Sequence, residues 1–122
     1  MTQPPPDLHQ RLPLSPAAFS ILLALKEGEK HGYAILRAAS EQADGTPKLL
    51  PGTLYNLLKR MLEYGWIVEL DERPDPELDD ERRRYYRLTA VGEKIAALEA
   101  GRLDSLVRTA RQRGLLPDAE QG

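Results

Sequence analysis

The sequence predicts a mainly α, α+β domain in which three compact helices precede a two-stranded hairpin and one long final helix. Three observations carry this. Apolar residues recur at spacings of three and four in separate stretches. Two short runs rich in aromatic and β-branched residues, 66–70 and 84–88, lie together between the third and last of these stretches. Proline or glycine punctuates most of the junctions. At 122 residues the chain supports one domain with its own core.

Residues 1–13 hold Pro4, Pro5, Pro6 and Pro13 and no periodic apolar pattern, which predicts a flexible arm. Ser15 then suits an N-cap, Pro16 the first helical position and Gly28 the position just past the end. Between them AAFSILLALKE is apolar nearly all round, so this helix is expected to be the best buried. A second helix fits 32–42, with Ile35, Leu36 and Ala39 as its inward stripe. DGTP at 44–47 signals a loop, and Lys48, Leu49 and Leu50 allow no more than a scrap of strand.

Pro51 opens the third helix. Leu54, Leu57, Leu58, Met61 and Leu62 form its apolar face, and Gly65 ends it. Thr53, Asn56, Lys59, Arg60 and Glu63 fall on the opposite side, with Tyr55 on the border. WIVEL and RYYRL read as two strands of a hairpin whose long loop contains Pro74 and Pro76. Tyr85 and Tyr86 alternate, so one should pack inward and the other face out. Thr89 caps the last helix, where Val91, Ile95, Leu98, Leu106 and Ala110 recur at helical spacing. Gly101 interrupts that helix, and Gly114 with Pro117 closes it. Spanning 90–113, it would be about 36 Å long at ~1.5 Å per residue, more than one small core can cover. The order helix, helix, helix, strand, strand, helix is that of a winged helix-turn-helix. No internal repeat is visible. The expected boundaries are an arm at 1–13, the winged helix-turn-helix at 14–88, a dimerisation helix at 89–114 and a flexible tail at 115–122.

Composition removes several function classes. The chain is 41% hydrophobic and 30% charged, as in an ordinary soluble globular protein. No apolar run reaches the ~18 residues a membrane span needs. The N-terminus lacks the apolar core of a signal peptide, so a cytoplasmic location is expected. There is no cysteine, hence no disulfide, thiolate nucleophile or zinc knuckle. The two histidines are His9, in the arm, and His31, which together make a poor metal site. No Gly-rich phosphate loop is present, and the carboxylates of 69–81 lie on a hairpin where solvation explains them. The chain therefore reads as neither an enzyme nor a cofactor-binding protein.

The net charge of −2 conceals segregation. Residues 14–64 carry six basic and five acidic side chains, residues 65–88 five and eight, and residues 89–122 five of each. A near-neutral total can hide a locally basic surface. The helix from Pro51 has what a major-groove reader needs, a polar face near its N-terminus and an apolar face for the core. Asn56 can read an adenine edge, while Lys59 and Arg60 can meet phosphate or guanine. The hydroxyls of Thr53 and Tyr55 suit phosphate oxygens, and the N–H groups at Gly52 and Thr53 add an anion site. Read alone, this face is more simply the solvated side of a core helix. Arg82, Arg83, Arg84 and Arg87 can grip phosphate from the wing, though alternation lets about half of them face the same way. They can equally neutralise Asp79, Asp80 and Glu81, and the acidic tip PDPELDDE should point away from DNA. His31 and Tyr33 open the second helix and are expected near the DNA backbone. Tyr33 is otherwise a ring covering the core edge, and Trp66 an anchor of the hairpin.

On the last helix Val91, Ile95, Leu98, Leu103, Leu106 and Val107 form more apolar surface than the rest of the chain should cover. Each such side chain gains about 1.5–3 kcal/mol on burial, so a twofold mate is the expected cover. A helix folded back on its own domain is the other way to bury the row. The alternative function is a winged-helix module that binds protein and not DNA, supported by the acidic hairpin and the net charge.

LSPAAFSILLAL at 14–25, HGYAI at 31–35, PGTLYNLLKRMLEYGWI at 51–67 and RRRYYRLTAVGEK at 82–94 together resemble the PadR-type transcriptional regulators. The match runs in order from 14 to 94, and HGY followed by PGTLY and YYRLT is more specific than a generic helix-turn-helix. The resemblance implies a homodimeric repressor of the short-tailed branch, bound to a palindromic operator and released by a small aromatic or cationic inducer. The aromatic pair by which drug-binding members hold ligand between dimerisation helices has no counterpart, because 90–113 contains no aromatic residue.

Overall fold

In the computed structural model the described residues are 8–42, 48–70 and 84–117. A one-turn 3-10 helix, Leu8–Arg11, leads into α1 (Pro16–Lys26), β1 (Lys30–His31), α2 (Gly32–Ser40), α3 (Pro51–Tyr64), β2 (Ile67–Leu70), β3 (Tyr85–Leu88) and α4 (Ala90–Gln112). This is the helical winged-helix arrangement expected from the sequence. The 44–47 loop, the wing tip and the ends of the arm and tail lie outside the described residues.

Helix α1 forms where its signals stand. The Ser15 hydroxyl accepts the Ala18 N–H at 3.1 Å, and Pro16 occupies the first turn, where its missing N–H costs nothing. Its Ile21 and Leu22 are fully buried and meet Ile35, Leu54, Leu58, Met61, Ile67 and Ile95 in one core. Helix α3 stops at Gly65, whose φ of 76° is left-handed backbone suited to glycine, and the Trp66 N–H reaches back to the Met61 carbonyl.

Three features depart from the expectations. Residues 8–13, assigned to the arm, are structured in part: Leu8 is buried and Leu12 packs on the core. The sheet has three strands in the order β1-β3-β2, all antiparallel. Its extra member pairs Lys30 with Tyr86 and His31 with Tyr85, whereas residues 48–50 form no strand. Gly101 leaves α4 unbroken for 23 residues, about 34 Å at ~1.5 Å each.

A single junction sets the direction in which α4 leaves the sheet. The Thr89 hydroxyl donates to the Gly65 carbonyl at 2.6 Å and accepts the Gly92 N–H at 3.0 Å, while the Thr89 N–H donates to the Trp66 carbonyl. At Gly92 a Cβ would stand 2.0 Å from the Trp66 carbonyl oxygen, so only glycine permits the approach. Further along, Glu99, just 2% exposed, receives two hydrogen bonds from Arg102 at 2.7 and 2.8 Å and one from the Leu14 backbone. Lys26 of α1 and Glu93 of α4 form a further ion pair.

Candidate nucleic-acid interface

Helix α3 buries Leu54, Leu58 and Met61 and leaves Gly52, Thr53, Tyr55, Asn56, Lys59 and Arg60 exposed. The i, i+3, i+4 spacing of the leucines dictates this division, since the side that meets α1 cannot also meet solvent. Leu50 caps the helix without a side-chain hydrogen bond, and its carbonyl takes the Leu54 N–H at 2.9 Å. The N–H groups of Gly52 and Thr53 thus stand at a helix start that carries no acidic side chain, where the dipole favours an anion. Tyr55 leans on the beginning of α2, where a Cβ on Gly32 would lie 2.9 Å from its hydroxyl. Gly32 therefore admits the close approach of the two helices.

His31 serves the fold directly. Its Nδ1 accepts the Ala34 N–H at 3.2 Å as the N-cap of α2. Its ring stacks near Tyr33 at 6.4 Å and meets Tyr85 edge-on at 5.3 Å. Tyr33 is well exposed. Of the two strand tyrosines Tyr86 is buried and Tyr85 half-buried, in the alternation expected. Burial and the nearby Glu69 carboxylate push the Tyr86 phenol above its ordinary range.

Arg84 stands at the base of the wing and donates to Glu69 at 2.8 Å across the hairpin. That hydrogen bond, with the charge of Glu69, holds its guanidinium more firmly protonated than usual. The acid it meets is thus a strand residue facing it, one the sequence places fifteen positions away. Arg82 and Arg83 lie outside the described residues. Arg87 is exposed opposite Val68. The structure accordingly groups α3, the start of α2 and the base of the wing. Pairing through β1 brings His31 beside Tyr85, which a two-residue strand could not announce.

The row on α4 divides. Ile95 is 0% exposed and belongs to the chain's own core, so it is not available as a dimer contact. Val91 and Leu98 also pack on that core. The reason is that α4 starts folded back over α1 and extends beyond the domain only later. Leu103 is partly exposed, Leu106 56% exposed and Val107 37% exposed. Large apolar side chains outside that row are exposed as well, among them Leu23 of α1 and Leu115 and Leu116 after the Gly114 turn.

A sequence profile of the transcriptional regulator PadR-like family matches residues 21–98. The chain belongs to the PadR-like family of transcriptional regulators. A PadR family transcription regulator from Clostridium difficile R20291 has the same fold. Its TM-score is 0.66, its identity 24%, and the alignment covers 80% of this chain and 97% of that one. Bordetella bronchiseptica BpsR, whose DNA binding is regulated by 6-hydroxynicotinic acid, aligns with a TM-score of 0.62 at 20% identity, over 88% of this PadR-like chain and 74% of BpsR. An uncharacterised 37.1 kDa protein in transposon TN4556 of Streptomyces fradiae is 37% identical over 84 residues. This chain spans 22% of that protein's length, and the alignment takes in 69% of this chain. The family is one of transcription regulators and not of enzymes. No described helix is long and apolar enough to cross a membrane.

Proposed function

We propose that this PadR-like chain is a sequence-specific DNA-binding repressor that grips a palindromic operator as a homodimer in the cytoplasm and is released by a small-molecule inducer. The observation that carries the reading is the exposed face of α3, where Thr53, Tyr55, Asn56, Lys59 and Arg60 stand together beside a helix start free of acidic side chains. His31 and Tyr33 supply the neighbouring end of α2. Arg82, Arg83 and Arg84 assist from the wing, Arg84 by exchanging Glu69 for phosphate. The homodimer is supported by the apolar strip of Leu103, Leu106 and Val107, of which Leu103 shares one groove with the half-buried Phe19 and exposed Leu23 of α1. Two copies related by a twofold axis would cover one another's strips and present two α3 helices to two half-sites.

Titration with DNA from the region upstream of its own gene tests this. Binding should be stronger than to random DNA of equal length and should weaken steeply between about 50 and 200 mM salt, since phosphate contacts release counterions. Equal affinity for both DNAs, or none at the lower salt, would instead favour a module that binds protein through its acidic hairpin.

A further inference from the structure

Helix α4 leaves the domain at Glu99. This is the last buried residue of the helix, 2% exposed, and every α4 side chain after it is exposed or half-buried. A carboxylate is an expensive group to bury there unless donors meet it. Arg102 supplies two hydrogen bonds at 2.7 and 2.8 Å, and the Leu14 N–H supplies a third from outside the helix. Leu14 ends a strap formed by residues 8–14. Within it Leu8 is buried, Leu12 packs on the core, and the 3-10 turn touches α4. The same strap reaches α3. Arg11 places its guanidinium 4.1 Å from the centre of the Tyr64 ring and donates to the Tyr64 hydroxyl at 3.2 Å, in a groove that Arg60 and Trp66 also line. One continuous path thus runs from the last residue of α3 through Arg11 and Leu14 to Glu99.

A buried ion pair adds little net stability, because desolvation offsets the attraction; its best-attested use is to select one geometry among several of similar energy. The geometry at stake here is the angle of α4. Leu103, Leu106 and Val107 lie beyond Glu99, so a mate held on them is joined to α3 through that angle. From Val107 back to Ala90 is about 25 Å at ~1.5 Å per residue. In a twofold dimer, a tilt of about 4° in each protomer shifts the two α3 helices by about 3.4 Å, the rise of one base pair. Apolar contacts carry no direction and tolerate such a swing, whereas aligned hydrogen bonds resist it. We propose that Glu99, tied to α3 through Leu14 and Arg11, is a positioning residue that sets the separation of the two α3 helices and hence the half-site spacing the dimer accepts. This rests on the homodimeric DNA-binding reading above.

The test uses the full chain. Because the sequence has no cysteine, Glu63→Cys on the exposed side of α3 takes one nitroxide label per protomer. The distance between labels is read by double electron–electron resonance, the mass by light scattering and folding by circular dichroism. The expected result is a narrow distribution that broadens or shifts by about 3 Å or more in Arg11→Ala and Glu99→Leu, following the lever length. Glu99→Gln, whose amide oxygen still accepts the Leu14 N–H, should stay closer to the original. Lys26→Ala, which removes an exposed ion pair near the start of α4, should not change it. On operator duplexes the loss of affinity caused by one base pair added between half-sites should shrink about tenfold in Arg11→Ala and Glu99→Leu. The Arg11 contact is exposed, so Arg11→Ala decides the matter alone if Glu99→Leu does not fold. Indifference of every folded variant at Arg11 and Glu99 overturns the proposal. So does equal broadening in Lys26→Ala, or broadening with an unchanged spacing penalty. A dimer whose label distance ignores these residues removes only this proposal, whereas a monomeric mass in the labelled protein removes the homodimer and the proposal together.

Discussion

At Glu99 the balance between burial and charge is decided by partners. Desolvation alone would raise its pKa, yet the Arg102 guanidinium, helped by the Leu14 N–H, brings the carboxyl below its ordinary value of 4.5. A group with a depressed folded pKa contributes stability above its unfolded pKa and loses it as pH falls through the folded value. Wild-type urea midpoints should therefore drop below about pH 4 more than those of Glu99→Gln, and the two should converge in acid. At neutral pH Glu99→Gln should cost roughly 1–2 kcal/mol, since Arg102 can still reach water when its partner is neutral. A constant gap between the two proteins across the acid range would refute the role given to the carboxylate. Gly92 is a steric case. Its α-hydrogen faces the Trp66 carbonyl, and Gly92→Ala should cost about 3 kcal/mol by forcing α4 away from β2. Thermal melting should then begin at least ~10 °C lower, whereas Gly101→Ala, with open space around it, should match or exceed the wild type. His31 belongs to the same scale: its cap and ring contacts explain its place in the fold without any contact to DNA.

Among the elements, α3 was the most legible. Its apolar spacing, opening proline and closing glycine foretold both its limits and its exposed side, because a helix needs only local order to divide into two faces. Asn56→Ala should relax base preference at one operator position, while Lys59→Ala should weaken binding across all sequences and lower the salt slope by about one phosphate contact. Competition binding with single-substitution operators at several salt concentrations separates the two. Equal and negligible effects would move the reading face off α3. The strand at Lys30–His31 was illegible for the opposite reason. Two residues have no periodicity, and their pairing with Tyr85 and Tyr86 exists only once distant parts of the chain meet. The 3-10 turn is a similar case, since Leu8 is an isolated apolar residue among prolines until α4 supplies its contact.

The molecule as a whole is organised by how α4 divides its length. Its first half closes the core through Ile95, and the part beyond Glu99 carries Leu103, Leu106 and Val107 past the domain. Leu106→Asp combined with Val107→Asp should therefore give a folded monomer by light scattering, with circular dichroism retained and operator affinity reduced. Ile95→Asp should fail to fold instead, because it would leave a charge in the core without a partner. Retention of dimer mass in the double variant would place the interface elsewhere, on α1 or the sheet.

The sequence alone determined the class of fold, the order of the main elements, the family and the division of α3 into a buried and an exposed side. All of these depend on neighbours within a few residues or on motifs that survive as strings. The tertiary structure decided that Ile95 belongs to the chain's own core, that Arg84 is held by Glu69, that His31 caps α2 beside Tyr85, and that Arg11 and Arg60 share a groove with Tyr64 and Trp66. Each of these joins residues distant in sequence, and periodicity carries no information about which helix face will be covered by its own chain. Only the packing of α4 against α1, fixed by the Thr89–Gly92 junction, settles that.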